Sequence, residues 1–404
     1  MLKGKTVILG VTGSIAAYKI AGLASRLVKL GADVHVIMTE HATNFVNPIT
    51  FETLTNNKCL VDTFDRNFQF HVAHVSLAQK ADVMLVAPAS ANIIAKMAYG
   101  IADDMLSTTA LAMKGPVIVA PAMNVNMYNN PTVQDNIRRL SGFGKIIIPP
   151  ENGYLACGAT GAGKLPSEDV LLNYILREIA CEKDLKGRKV LVTAGPTREA
   201  LDPVRFITNH STGKMGYAVA RQAMLRGAEV TLISGPVHIE PPAFVSVIPV
   251  VSAEDMFQAV SRFYNEQDMI IKTAAVADYT PSEVQEEKIK KSGSGISIEL
   301  SRTKDILAWL GSRKRESQVL CGFSMETRDV LENSRKKLES KQADLIAANC
   351  LKDQGAGFGT DTNHLILIQK EEITDLPLMS KDEAANHLLD HLKRIWESKQ
   401  KMII

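Results

Sequence analysis

The chain has 404 residues, 46% of them apolar, which is too long for one ordinary core and apolar enough to fill two. A formal net charge of +2 argues against an electrostatic grip on nucleic acid. The N-terminus opens directly into a strand, and no apolar run reaches the roughly 20 residues needed to span a membrane, so a soluble cytoplasmic protein is expected.

The first predicted strand, Thr6 to Val11, is almost wholly apolar, as in a parallel sheet covered on both faces. It runs into Gly10-Val-Thr-Gly-Ser-Ile-Ala-Ala-Tyr-Lys, where Gly13 and Ser14 open a helix. This turn reads either as a bare strand-to-helix connection or as backbone N–H groups offered to a phosphate. It is not G-x-G-x-x-G, so a nicotinamide dinucleotide is not the first expectation. Leu30-Gly-Ala-Asp-Val-His-Val-Ile-Met supplies the next strand, and Asn44 to Phe70 reads as a polar and aromatic excursion with little strand alternation.

A helical pattern from His71 to Asp82 puts His71 and His74 on one face. They are polar residues at a helix start or, because histidine titrates near neutral pH, a general base or polar contact. The strand from Val83 ends in Pro88-Ala-Ser-Ala-Asn92, where open parallel sheets bind ligands. Hydroxyls follow at Ser107 to Thr109, then a strand from Pro116 running into Pro121-Ala-Met-Asn124, then a Gly-rich loop from Asn152 to Lys164 that carries Cys157. Alone, that cysteine reads as a small apolar residue or a reactive thiol. With Cys59, Cys181, Cys321 and Cys350 it makes five, without a C-x-x-C pair, which indicates neither a disulfide framework nor a zinc site.

Glu182-Lys-Asp-Leu-Lys-Gly-Arg-Lys189 is a polar seam, after which the opening repeats: Lys189-Val-Leu-Val-Thr-Ala-Gly-Pro-Thr, a helix, then Arg226-Gly-Ala-Glu-Val-Thr-Leu-Ile. Two β-α-β openings predict two Rossmann-like α/β domains with mainly parallel sheets, residues 1–188 and 189–404. In the second, a long link from Ala194 to Asn209 precedes Ser211-Thr-Gly-Lys-Met-Gly216, a Gly-rich helix start suited to an anion though lacking the Walker spacing. The strand Met269-Ile-Ile-Lys-Thr-Ala-Ala leads to Asp278, and the basic cluster Glu287-Lys-Ile-Lys-Lys291 is either a solvated face or a loop closing over phosphates. An amphipathic helix is predicted from Lys381 to Lys401.

The set from Gly10 to Lys19, with His74 before Val-Ser-Leu-Ala, Pro88 to Asn92, Pro121 to Asn124 and Ala156-Cys-Gly158, resembles the flavin-dependent cysteine decarboxylase family. The resemblance implies FMN contacted by Gly13, Ser14, Ser90, Asn92 and Ser107. It also implies an active-site histidine at His74, a substrate-carboxylate ligand at Asn124 and a proton donor at Cys157. Oxidation of the substrate thiol would create an electron sink for the departing carboxylate, and a thiol would return a proton when the cycle is completed. One departure from the family pattern is Gly163-Lys164-Leu165, where Gly-Arg-Met is expected.

Thr208-Asn-His-Ser-Thr-Gly-Lys-Met-Gly216, Ala274-Ala-Val-Ala-Asp-Tyr279 and Glu287 to Lys291 resemble phosphopantothenate cysteine ligases over residues 188 to 395. Both halves together resemble the bacterial bifunctional phosphopantothenoylcysteine decarboxylase and phosphopantothenate cysteine ligase family of coenzyme A synthesis. That resemblance implies CTP as co-substrate with Mg2+, Asn209 stabilising an acyl cytidylate, and Lys288 neutralising the triphosphate. It implies CTP contacts at Thr273, Ala274, Asp278, Lys288, Lys304, Asp305, Ile306, Leu307, Phe323, Lys337 and Lys341. Metal ligands are not assigned. The implied partners are small molecules (4'-phosphopantothenate, cysteine, CTP), and the implied assembly is a homo-oligomer, a dodecamer of trimeric decarboxylase and dimeric ligase units. The alternative reading is a non-catalytic FMN-binding regulatory protein of the same fold.

Overall fold

The computed structural model describes residues 1–63, 73–154, 158, 160–290, 297–326, 328–350, 355 and 357–403. They form two units, Met1–Cys181 and Glu182–Ile404.

In the first unit, β1 (Thr6–Val11) is buried at every position and lies between β2 (Asp33–Met38) and β3 (Val83–Ala89). With β4 (Val117–Pro121) and β5 (Ile146–Ile147) these make a parallel sheet of order 2-1-3-4-5. Val7, Leu9 and Val11 point into one core, with Leu23 and Leu27 of α1 (Lys19–Lys29); Ile8 points into the other. The period of two along the strand serves two helical layers.

Helix boundaries follow the local chemistry. Asn47 caps α2 (Pro48–Thr55), whose proline sits where a missing N–H costs nothing, and left-handed Asn56 ends it. The stretch from Asn44 was therefore not simply an irregular excursion: it contains this helix, and Leu60 bridges to Ile37. After α3 (Ala73–Lys80), Ser90 caps α4 (Ala91–Tyr99), and Asp104 with Ser107 forms the capping box of α5 (Met105–Ala112). Asn124 caps α6 (Val125–Asn129) and Asn130 caps α7 (Pro131–Gly142).

The glycine-rich segment expected to be a loop forms a hairpin, β6 (Glu151–Tyr154) with β7 (Thr160–Lys164). The Met123 N–H bonds to the Gly163 carbonyl at 3.0 Å, so tertiary contact supplies what local propensity does not. Helix α8 (Glu168–Ile179) then packs against α1.

The second unit repeats the plan on a larger scale. Strand β8 (Lys189–Ala194) leads into a small antiparallel pair, β9 (Glu199–Ala200) and β10 (Phe206–Ile207), inside the link that precedes α9 (Lys214–Leu225). Then come β11 (Glu229–Ser234), β12 (Ser246–Pro249), α10 (Ala253–Phe263), β13 (Met269–Lys272), β14 (Tyr279–Pro281), β15 (Leu300–Arg302) and α11 (Ile306–Gly311). The unit ends with β16 (Val319–Glu326), α12 (Val330–Ser340), β17 (Leu345–Cys350), β18 (Thr362–Asn363), β19 (Ile366–Ile368), β20 (Ile373–Asp375), β21 (Met379–Ser380) and α13 (Lys381–Ile403). The main sheet has order 12-11-8-13-16-17-19-20, parallel as far as β17 and antiparallel thereafter.

The seam groups with the second unit. Leu185 is buried, and the Asp184 carboxylate receives Arg226 through both Nε (2.9 Å) and Nη2 (2.6 Å), and Lys393 at 3.0 Å. Arg188 stacks 3.9 Å from the Trp396 ring centroid. The Asp184 carboxylate of the seam is thus matched by charges far along the chain. Among the described residues, no helix is long and apolar enough to cross a membrane.

Candidate active sites

In the first unit the strand order reverses at β1, which sits between β2 and β3, so the crevice at the carboxyl ends of β1 and β3 is where a ligand is expected. The two strand ends are tied together there. Thr12 Oγ1 donates to the Pro88 carbonyl at 2.6 Å and accepts from the Ser90 N–H at 3.0 Å. A cavity of about 410 Å3 lies against Ser14, Ile15, Met123, Asn124, Tyr154 and Leu165, within the size range of small-molecule sites and with the mainly apolar walls a flat ring requires. Gly163 lines it with φ +143°, and a Cβ there would meet the Met123 carbonyl oxygen at 2.3 Å, so only glycine lets the hairpin close on this wall.

Of the residues expected in this half, Ser14 and Asn124 line the cavity. Ser14 accepts from the Ala16 N–H and Asn124 from the Asn126 N–H. Ser90 stands at the neighbouring strand end, Asn92 is exposed one residue into α4, and Gly13 packs against His41. Ser107 is buried, its hydroxyl engaged with Asp104 in the cap, and His74 is half-buried on α3. Cys157 and His71 lie outside the described residues.

The second unit reverses at β8 and β13 and has two adjoining cavities there. The smaller, about 260 Å3, is bounded by Ser211 to Gly216 at the start of α9 and by Thr273, Ala274, Phe323, Asn349 and Lys381. Gly213 caps α9 with φ +78°, and a Cβ there would meet Val237 Cγ1 at 2.8 Å. The larger, about 470 Å3, is bounded by Arg302, Lys304 to Leu307 and Lys341. Lys272, Val276, Asp278 and Lys337 line both.

This shared wall is electrostatically tense. Burial pushes the Lys272 ammonium down from 10.5 to about 8, assisted by Lys337, while Asp305 and Asp278 oppose the shift. Burial likewise lowers Lys337, whose Nζ donates to the Phe323 carbonyl at 3.0 Å. Burial and Lys214 push Lys381 down to about 8; its Nζ donates to the carbonyls of Gly357 (3.1 Å), Thr360 (2.6 Å) and Thr362 (2.8 Å). Lysines so placed gain from a bound polyanion. Among the described residues, Thr273 Oγ1 and Asn349 Oδ1 are buried without a hydrogen-bond partner, as expected where a polar ligand completes the wall.

The sheet thus brings Thr273, Ala274, Asp278, Lys304, Asp305, Ile306, Leu307, Phe323, Lys337 and Lys341 to one pair of cavities. Asp305 also caps α11 through the Ala308 N–H and pairs with Lys341 at 2.8 Å. Asn209 and Lys288 do not line either cavity. Asn209 donates to the Ala275 carbonyl at 2.5 Å, beside the smaller one, and Lys288 is exposed. Lys272, Lys381 and Asn349 were missed in the sequence. A lysine ending an apolar strand was the legible signal for the first.

Residues 1–180 match the Flavoprotein family and residues 185–395 the DNA/pantothenate metabolism flavoprotein C-terminal domain family. The chain is 49% identical over 396 residues to the coenzyme A biosynthesis bifunctional protein CoaBC of Bacillus subtilis, covering 97% of each chain. To the protein of the same name from Vibrio cholerae it is 43% identical, covering 96% of this chain and 98% of that one. A crystal structure of the C-terminal domain of a CoaBC protein matches 54% of this chain and 100% of its own, at 44% identity and a TM-score of 0.47. The family matches define a two-unit flavoprotein. The chain belongs to the family of coenzyme A biosynthesis bifunctional proteins CoaBC.

Proposed function

We propose that this protein couples 4'-phosphopantothenate to cysteine at the expense of CTP in residues 189–404, and decarboxylates the product with FMN in residues 1–188. The observation that carries the ligase half is the pair of adjoining cavities sharing Lys272, Asp278 and Lys337, with two buried polar atoms in the wall of one that lack a hydrogen-bond partner among the described residues.

The larger cavity takes the nucleoside, against Lys304 to Leu307 and Lys341, and the triphosphate lies along the shared wall. The acyl carboxylate reaches the α-phosphorus from the smaller cavity. Its oxygen displaces pyrophosphate, and the cysteine amine then displaces CMP from the acyl carbon. Lys272, Lys337 and Lys288 offset the charge that accumulates on the departing pyrophosphate. Asn209, fixed beside Ala275, holds the acyl cytidylate. Mg2+ would be held chiefly by the nucleotide phosphates, as this ion usually is, with Asp278 the carboxylate that faces both cavities.

The first-unit cavity suits a flavin: it has apolar walls, a glycine-dependent hairpin and a turn at Ser14 offering backbone N–H groups. Bound FMN would take two electrons from the substrate thiol, which lets the cysteinyl carboxylate leave as CO2, and would return the same two electrons to the decarboxylated enethiol, so that the reaction is redox-neutral. Asn124, in the cavity wall, orients that carboxylate, His74 serves as the active-site histidine, and Cys157 delivers the final proton. Gly13, Ser14, Ser90, Asn92 and Ser107 hold the cofactor, Ser107 through the start of α5. The chain acts in the cytoplasm as a homo-oligomer, a dodecamer.

The test is a coupled assay on the purified full chain with phosphopantothenate, cysteine and either CTP or ATP. Flavin absorbance and CTP-dependent formation of 4'-phosphopantetheine are expected. A colourless protein, or one that releases no pyrophosphate with CTP, would overturn the reading.

A further inference from the structure

We propose that Asp202 is a positioning residue for Lys288: together with Arg205 it grips both backbone groups of Ile289 and so fixes the stem on which the neighbouring ammonium stands. This rests on the reading of Lys288 as the group that neutralises triphosphate charge.

The turn between β9 and β10 closes on Asp202, which is 3% exposed. Its Oδ1 accepts the N–H groups of Val204 and Arg205, both at 2.8 Å. Those two bonds are all that the turn itself needs. The other oxygen reaches out of the turn. Oδ2 accepts Arg205 Nε (2.9 Å), Arg205 Nη2 (2.6 Å) and the Ile289 N–H, 87 residues away, at 3.1 Å. Arg205 Nη2 in turn donates to the Ile289 carbonyl at 2.7 Å. The Gln285 N–H adds a further tie to the Leu201 carbonyl at 3.0 Å.

Ile289 is therefore held by its N–H and its C=O from one carboxylate–guanidinium fork. Burial alone would raise the Asp202 carboxyl. The Arg205 side chain and the N–H groups of Val204, Ile289 and Arg205 outweigh burial and hold it well below the carboxylate range, so the fork stays charged throughout the working pH.

Lys288 is exposed, so the backbone that carries it, rather than packing, decides where its ammonium is found. The same hairpin runs from β10 to Asn209, which is anchored on Ala275. One small element thus connects the backbone beside Lys288 to the residue that would hold the intermediate.

The experiment is a double-mutant cycle on the full chain with Asp202→Asn and Lys288→Ala, reading CTP- and phosphopantothenate-dependent pyrophosphate release at saturating substrate. In the asparagine variant an amide replaces an oxygen that faces only donors. Pyrophosphate release should fall about 10- to 100-fold, the scale on which a misplaced catalytic group loses rate. In the Lys288→Ala background the same change should cost less than about 2-fold, because nothing remains to be positioned. Decarboxylation of supplied phosphopantothenoylcysteine should be unchanged, and exchange of the Ile289 amide should accelerate. An equal loss in both backgrounds overturns the proposal while leaving the reading of Lys288 intact. Full activity of Lys288→Ala alone overturns both. Should Asp202→Asn fail to fold, Arg205→Lys, which keeps the charge and loses the fork, goes through the same cycle under the same criteria.

Discussion

Replacing Lys272 with methionine should make the second unit more stable and a poorer binder of nucleotide. The fall of its ammonium from 10.5 to about 8 corresponds, at about 1.4 kcal/mol per tenfold change in proton affinity, to about 3 kcal/mol of strain at neutral pH. That figure is an upper bound, because solvent reaches part of the side chain. The sign follows from linkage. Between pH 8 and 10.5 the unfolded chain holds a proton that the folded one has released, so wild-type stability gains from this group as pH rises through that window. The methionine variant should lose this gain and keep the full benefit at pH 7. A triphosphate beside Lys272 would raise its proton affinity again, so CTP binding near pH 9 should take up a proton in the wild type but less in the variant. Both tryptophans, Trp309 and Trp396, lie in the second unit, so their fluorescence follows its unfolding. Denaturation between pH 7 and 10, with titration calorimetry of CTP in two buffers of different ionisation enthalpy, supplies both readouts. A variant that is less stable at pH 7 and binds CTP with unaltered affinity and proton uptake would refute the reasoning.

Further outcomes are expected. Lys288→Ala should suppress pyrophosphate release, whereas Asn209→Ala should still release pyrophosphate and impair retention or conversion of the acyl cytidylate; full turnover of both would reject their roles. Asp184→Asn leaves the buried Arg226 guanidinium with Asp390, 2.8 Å away, as its remaining carboxylate, and should destabilise the second unit by about 2–4 kcal/mol in denaturant titrations. Arg226 and Lys393 hold the Asp184 carboxyl below 3.8 against the effect of burial, so its contribution is complete above about pH 4 and is lost as pH falls through the lowered value. Gly163→Ala forces a side chain into a left-handed position against the Met123 carbonyl, and should cost about 1–3 kcal/mol together with flavin retention, read from absorbance after gel filtration.

What the sequence made legible were features set by local chemistry. The expectation for β1 matched both ends, and α13 begins at Lys381 as its pattern predicts. The hairpin of β6 and β7 was hidden because glycine-rich strands carry no alternation, and this one is held by contact with Met123. Asn47-Pro48 was a readable helix start, though the polar and aromatic residues around it show little periodicity. Around the two cavities of the second unit, the residues that followed strand ends could be named, but Lys381 and Asn349 could not. Their proximity depends on which strands neighbour one another, and no local pattern reports sheet order. The grip of Asp202 on Ile289 was hidden for the same reason.

The packing of Asp184 and Leu185 bears on how such a two-enzyme chain could have arisen and could be taken apart. The salt link from Asp184 to Arg226 and Lys393 makes the residues just past Cys181 the first latch of the second unit rather than spare cord. A gene that split between the units would yield a self-sufficient second unit only if the break fell upstream of Asp184. A fragment starting at Lys189 would keep every strand and helix of its unit yet begin life with a buried guanidinium stripped of its bidentate partner. The portable module is therefore longer than its secondary structure suggests, and its true beginning is marked by an aspartate.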